Sequence, residues 1–393
     1  MELPIVYLKN TRNSLHPHIF SKMVNHPKNL QTGSCVEVRS RENSFIGIGF
    51  YNPTQTVAIR LITERKDEPF NKDFFYNRFQ TAKILREDIL KINETSNSYR
   101  IINAEADGFP GLIVDKFSNV IIIEPYTAGY KIVIDWIVES LARLYPECQI
   151  SLRVDQRTEN RERISFEYEM KKYPHPDKVD VLENGMKMRV DLVSGHKTGF
   201  FLDQRENRLK IRALAQNKNV LDLCCYTGGF AISAALGNAK HVVGVDLDEK
   251  AIHIAKANAD KNNVKIRFQH SDAFDVLRNI IKSHDTEKPD LIILDPAKLA
   301  NVKDEIPRAM KMYGDLNKLA MQACRNGGLL MTCSCSGLIP EETFLSILTR
   351  SAAEANVIFQ IISITGAAND HPIALHFPEG RYLKAVLGRM IRR

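Results

Sequence analysis

Apolar residues recur along this chain in three different rhythms. Up to about residue 70 they alternate with polar ones in short runs, GSCVEVRS, SFIGIGFYNP and VAIRLIT, separated by turn-forming residues. Alternation of this kind marks half-buried strands, so a small β-rich module is expected, a barrel among its possible forms. Near its start HPHIFSKMV is a basic and aromatic segment placed to open a short helix. From residue 71 to about 180 the rhythm changes. NKDFFYNRFQTAKILREDILK and IVIDWIVESLARLYP space their apolar positions for one buried helical face. Between them, YRIINAEADGFPGLIVDKFSNVIIIEPYT predicts two strands around the GFPG turn. DQRTENRER is too charged for a core and is expected as a solvated loop, and KKYPHPDKVD marks a domain boundary.

From residue 181 onward, strands and helices alternate. NVLDLCC, HVVGVD, KIRFQHSD, DLIILD, GLLMTCS and VIFQIISI are predicted strands. FAISAAL, EKAIHIAKANADKNN, AFDVLRNIIKS, the stretch 304–325 and PEETFLSILTRSAAEAN are predicted helices between them. This order implies βαβ units, a parallel sheet and ligands at the carboxyl ends of its strands. The expected organisation is therefore α/β, with domains at 1–70, 71–180 and 181–393. The chain's 393 residues agree with more than one domain at roughly 100–200 residues each.

Composition narrows the partners. The apolar runs are strand-length, well short of the ~20 residues of a membrane span. MELPIVYLKNTRNSLHP lacks the basic flank and apolar core of a secretory signal, so the cytoplasm is the expected location. A net charge of +7 tilts the protein mildly toward polyanionic partners. Seven scattered cysteines, an odd number, argue against a disulfide framework, and no pair of separated C-x-x-C or C/H motifs suggests a metal.

The most informative segment is NVLDLCCYTGGFAISAALGNAKHVVGVDLDEKAIHIAKANA. A strand ends near Asp222, Gly228 and Gly229 turn the chain into a helix, and the next strand ends in Asp246. Glycines let a backbone approach its ligand, and a carboxylate after the second strand can grip ribose hydroxyls. The third glycine needed for pyrophosphate and the lysine of a phosphate loop are both missing. A nucleoside ligand without phosphates fits better, namely S-adenosylmethionine (SAM). Asp222 is expected to face its methionine end, Asp246 its ribose, and Asp272 of HSDAFD its adenine. Alone, each aspartate reads better as a helix cap; three at successive strand ends favour the cofactor.

LIILDPAKLA places Asp295 and Pro296 at the fourth strand's end, where an acid can hydrogen-bond a base or hold a proton. LLMTCSCSGL ends the fifth strand with Cys333 and Cys335. Carbon 5 of a pyrimidine is a poor nucleophile until a thiolate adds to carbon 6, and cysteine suits that role as both nucleophile and leaving group. Burial as small hydrophobes is the commoner fate of either thiol alone.

Together these motifs resemble the RlmI-like bacterial 23S rRNA cytosine-C5 methyltransferases over nearly the whole chain. HPHIF and YNP, EADGFPGLIVDKF, GHKTGFFLDQRENR, LDLCCYTGGF and TCSCSGL carry the likeness, and GHKTGFFLDQR is the most specific. The resemblance implies an N-terminal PUA-like domain, a central α+β domain, a C-terminal Rossmann-like class I methyltransferase domain, SAM as cofactor, large-subunit rRNA as substrate and a homodimer. It makes Lys197, Thr198, Phe200, Gln204 and Arg205 cofactor or cleft residues. The expected cofactor set also includes Tyr226, Thr227, Gly228, Gly229, Phe230, Leu247, Ala273, Phe274 and Pro296. Its S-C-S aligns with 334–336, which favours Cys335 as nucleophile, while the T-C-S of other RNA cytosine methyltransferases keeps Cys333 as a rival. The family's D-P-P is here Asp295–Pro296–Ala297. Two other readings compete: an RNA guanine-N7 methyltransferase, which needs no thiol, and a non-catalytic rRNA-binding assembly factor.

Overall fold

The computed structural model describes residues 3–193, 200–283 and 287–393. It divides into two compact units. One comprises Met1–Leu182, Val190–Leu202 and Asn369–Gly380; the other comprises Glu183–Arg189, Asp203–Ala368 and Arg381–Arg393.

The first unit begins with β1 (Ile5–Tyr7), β2 (His18–Phe20), β3 (Cys35–Arg39), β4 (Phe45–Tyr51) and β5 (Val57–Thr63), joined in one sheet of order β1-β3-β4-β5-β2. HPHIF is thus a strand, and only Ser21–Met23 forms a single 3-10 turn. The helix α1 (Lys72–Lys83) starts on an Asn71 cap that accepts from the Phe74 amide, and it runs on as a π-turn through Ile89. Next come β6 (Ser98–Asn103), β7 (Leu112–Phe117), β8 (Val120–Pro125), α2 (Ile134–Leu144) and β9 (Gln149–Leu152), the strands forming a sheet of order β6-β7-β8-β9. Three strands therefore stand where two were expected. Ser118, with φ of 55°, turns β7 back into β8 within two residues, too tight a turn to interrupt the apolar run.

DQRTENRER is not a loop. It contains the helix α3 (Gln156–Glu162), followed by α4 (Glu167–Lys172). Asp155 caps α3 by accepting from the Thr158 amide, and Glu162 is fully buried, taking bonds from the Ala128 amide and the Asn52 side chain. Charge density hid a carboxylate with an interior task. The chain then forms the hairpin of β10 (Lys178–Glu183) and β11 (Met186–Asp191).

A segment far along the chain also folds into the first unit. Arg86, wholly buried, makes two 2.7 Å bonds to the Asp107 carboxylate and donates to the Asp370 carbonyl at 2.8 Å. The Asp370 side chain accepts from the Arg100 amide, and Asn103 donates to the Pro372 carbonyl. No local periodicity announces such an excursion, because its partners lie hundreds of residues away.

The second unit continues with α5 (Arg205–Leu214), β12 (Asn219–Leu223), α6 (Gly229–Leu236), β13 (His241–Asp246), α7 (Glu249–Lys261), β14 (Arg267–His270), α8 (Ala273–Lys282) and β15 (Leu291–Leu294). It ends with α9 (Ile306–Ala323), β16 (Leu329–Ser334), α10 (Glu341–Glu354), β17 (Val357–Thr365) and β18 (Lys384–Arg392). The sheet order is β14-β13-β12-β15-β16-β18-β17. The first five are parallel; β18, not among the predicted strands, enters antiparallel between β16 and β17.

Side-chain alternation divides the core between the two faces of the sheet. Leu221, Leu223, Ile292, Leu294 and Leu330 pack on one side with α9 and α10, while Val220, Ile293, Met331 and Cys333 pack on the other with Ile211 and Phe230. Each fully buried aliphatic of this kind contributes about 1.5–3 kcal/mol. Strand order reverses between β12 and β15, the place in such sheets where loops diverge and ligands bind in the crevice at the carboxyl ends.

Candidate functional site

The site builds up from the end of β12. Leu223 leads into a loop in which Cys224 (φ 60°), Tyr226 (φ 49°) and Gly228 (φ 88°) all adopt left-handed conformations. Two non-glycine residues in that region carry backbone strain, which the surroundings must hold in place. Here the Cys225 amide donates to the Val245 carbonyl at 2.9 Å, and the Tyr226 amide to Asp246 Oδ2 at 2.8 Å. The loop is thereby tied to β13, and Gly228 and Gly229 lead straight into α6.

Asp222 lies inside this turn, with no exposed surface. Its Oδ2 accepts from the Ala231 amide at 2.8 Å, while its Oδ1 is buried without a hydrogen-bond partner. Burial pushes its carboxyl well up from the usual range, the Ala231 amide opposes this, and Asp295 and Asp246 add to it. An orphaned carboxylate oxygen at a strained loop suits an incoming ammonium. Asp246, at the end of β13, accepts from Tyr226 and also from the Asp248 amide at 2.9 Å. Leu247 beside it is 64% exposed, an apolar face next to the acid. Asp272 caps α8 through the Phe274 amide, so the capping role weighed for it is real and shares the residue with any ligand. Thr227, Phe230 and Ala273 are buried around this end, and Phe274 is partly so.

Across the switch point stands Asp295, whose Oδ2 accepts from Gln204 Nε2 at 3.0 Å. Gln204 in turn accepts from Asn207 at 2.7 Å, and Asn207 accepts from Thr365 Oγ1 at 2.7 Å. The described part of the GHKTGFFLDQR block thus reaches the acid of LDPAK. Arg205, buried at the start of α5, bonds to Glu206 at 2.9 Å. Phe200 falls in the first unit and is buried there. Lys197 and Thr198 lie outside the described residues.

The two thiols differ sharply. Cys333, in β16, is fully buried in the face packed by α6, and burial followed by the Asp295 charge drives its thiol well above the usual range. Cys335 follows the strand, is partly exposed, and has its Sγ 3.9 Å from the Pro296 carbonyl. Cys224 and Cys225 sit at the strand end, their thiols pushed up by burial.

Motif reading missed several neighbours. Asn207 lies only two residues past Arg205, yet an asparagine in a helix carries no signal of its own. Asp203 accepts from the Tyr382 hydroxyl at 2.6 Å, and Lys384 donates to the Ser336 carbonyl at 2.8 Å. A lysine within the apolar run YLKAVLG was the available clue. Among the described residues no cluster of three or more His, Cys, Asp or Glu is placed to hold a metal.

Chemically, the crevice gathers Asp222, Asp246, Asp272 and Asp295, a set that repels phosphates and favours a cationic ligand. Arg208, near Gly229, is already committed to a buried bidentate pair with Glu183 at 2.6 and 2.5 Å. The residues therefore fit SAM, with its ammonium and sulfonium charges, better than a dinucleotide.

Comparison with known proteins agrees. The family model described as S-adenosylmethionine-dependent methyltransferase matches residues 160–367, and the PUA-like domain model matches residues 10–64. A protein of Erwinia tasmaniensis named ribosomal RNA large subunit methyltransferase I is 36% identical over 399 residues, covering 100% of both chains. One of the same name from Photobacterium profundum is 36% identical over 98% of each. Among solved structures, one described as "a putative methyltransferase complexed with SAH" superposes with a TM-score of 0.79 at 20% identity, covering 99% of this chain and 100% of that one, a likeness of fold. The orphaned acid, the glycine turn and these full-length relatives converge: the chain belongs to the ribosomal RNA large subunit methyltransferase I family of SAM-dependent methyltransferases.

Proposed function

We propose that this protein methylates carbon 5 of a cytosine in large-subunit ribosomal RNA, with Cys335 as the attacking group. One observation carries the reading: of the two thiols at the end of β16, Cys335 alone is partly exposed, and it lies beside Asp295–Pro296. Cys333 is sealed in the core.

The Cys335 thiolate adds to carbon 6, and the ring electrons move toward carbon 5. SAM, when bound, supplies the methyl group as an electrophile to that carbon. Removal of the carbon 5 proton, by Asp295 or a water, then expels the sulfur and restores the ring. Asp222, Asp246 and Leu247 hold the cofactor in this reading, and Gln204 orients the Asp295 carboxylate. The target cytosine must leave its stack to present carbon 6, so unpaired or still-assembling RNA is the expected form. The PUA-like domain binds that RNA mainly by shape and phosphate contact. A cytoplasmic homodimer completes the proposal, and sedimentation velocity tests the dimer.

Bisulfite mapping of rRNA from cells with and without the gene gives the modified position. RNA carrying 5-fluorocytosine should trap a covalent adduct whose peptide maps to Cys335. Methyl transfer without any adduct would instead indicate attack by a ring nitrogen, as in guanine-N7 methylation.

A further inference from the structure

Lys384 is a lysine placed where the fold leaves almost no water. It opens β18, pairs with Ser334 across the antiparallel ladder to β16, and is 1% exposed. Its ammonium donates to the Ser336 carbonyl at 2.8 Å and the Tyr382 carbonyl at 2.9 Å. Both partners are neutral, so neither cancels the buried charge. Sequestering an ammonium from water is costly, and an aliphatic residue would pack here without that cost.

The charges around it explain its placement. Burial lowers the Lys384 ammonium to about 8, and Cys335 followed by Glu341 works against that lowering. Glu341 is itself paired with Arg381 at 2.7 Å. Two weak acids, Tyr313 and Cys333, also feel the charge of Cys335. Tyr313, bonded to Ser336 Oγ at 3.1 Å, is pushed up to about 12, and the Cys333 thiol is raised by burial. Asp295 adds negative charge to both. An ammonium nearby favours a thiolate over a thiol. Lys384 grips the carbonyl of the residue after Cys335, so its charge is held close by the same bond that fixes the strand end.

We propose that Lys384 is the positioning residue that keeps Cys335 as a thiolate and aims it into the crevice, a role that rests on Cys335 being the nucleophile. The thiol releases its proton to solvent before RNA docks, leaving an ammonium–thiolate pair. The sulfur lends its electron pair to the new bond with carbon 6. When that bond breaks in the final elimination, the pair returns to sulfur beside the same ammonium, and no proton is needed to complete the cycle.

The test reads the thiol directly, without RNA. Iodoacetamide alkylation is followed from pH 5 to 10, and fragment ions of the tryptic peptide 326–350 separate Cys335 from Cys333. In Lys384→Met the half-point for Cys335 should rise by about one pH unit or more, so alkylation at pH 7 slows roughly tenfold. Lys384→Arg should restore most of the shift. Lys384→Gln, which keeps donors for the two carbonyls without the charge, should behave like Lys384→Met and serves if the methionine variant fails to fold. In methylation assays kcat should fall while the KM for SAM holds. An unchanged half-point in a folded, SAM-binding Lys384→Met or Lys384→Gln protein overturns the proposal. Should the half-point move while Cys335→Ala still methylates RNA, the nucleophile assignment falls, and the positioning role falls with it.

Discussion

The two halves of the sheet's carboxyl edge are built by different means. On the β12–β14 side the acids are held by main-chain amides: Asp222 by Ala231, Asp246 by Tyr226 and Asp248, Asp272 by Phe274. On the β15–β16–β18 side, side chains hold side chains: Gln204 on Asp295, Asn207 on Gln204, Thr365 on Asn207, Tyr382 on Asp203. Backbone donors give a socket that is set once the loop folds. A side-chain network draws on residues more than 150 positions apart and can be altered one member at a time. In the proposed function the first arrangement would hold an unchanging cofactor, and the second would lie where a base is admitted.

The sharpest way to break this contrast is at the thiols. Cys335→Ala should lower methyl transfer by more than about 10⁴-fold while SAM binding, measured by calorimetry, stays within error. Cys333→Ala should leave activity nearly intact and cost about 1 kcal/mol of stability, from the small cavity it opens in the face packed by α6. If the two variants exchange behaviour, the chemical end has been placed on the wrong sulfur.

On the cofactor side the expected effect is smaller and appears as proton linkage. The Asp222 carboxyl is raised by burial, so in the free protein ionising it is unfavourable. A raised folded value means its contribution to stability is present at low pH and is lost as pH climbs through that value. An ammonium bound at Oδ1 favours the ionised form, so SAM binding should release a proton and tighten as pH rises through the same range. Calorimetry in two buffers of different ionisation enthalpy measures that proton. Asp222→Asn keeps an acceptor for the Ala231 amide but should abolish the release and weaken SAM about tenfold, or about 1.4 kcal/mol. It should also make the free protein more stable at high pH. Release of the same proton by the variant would remove Asp222 from the methionine end.

The same division explains what could be read from the chain. Strands, helices and the acids of the cofactor half lie in one continuous stretch, where strand, glycine turn and helix follow within about thirty residues. The opposing half depends on β18, whose buried pattern leaves no alternation to notice, and on its insertion between β16 and β17. Asn207, Thr365 and Tyr382 are unremarkable where they occur, Lys384 shows only as a lone charge in an apolar run, and the four are positioned only through that topology. The excursion of residues 369–380 into the first unit, fixed by Arg86, and the helix in DQRTENRER with its buried Glu162 were hidden in the same way. Each depends on a polar group that finds its partner only after folding.

Asn207 offers the finest test of the networked half. It is 2% exposed and bridges Gln204 to Thr365, with a longer bond to the Gly366 carbonyl at 3.3 Å. Asn207→Ala leaves the Gln204 carbonyl and the Thr365 hydroxyl without this partner, at a cost of about 1–3 kcal/mol in urea denaturation. Gln204 would then hold Asp295 less firmly, and methyl transfer should fall severalfold with SAM affinity preserved, since the amides that hold Asp222 and Asp246 are untouched. Thr365→Val removes the same link from its other end, so the double variant should lose less than the sum of the two. Strict additivity would mean that Asn207 and Thr365 act separately, and that the reaction end, like the cofactor end, is a collection of independently held groups rather than a network.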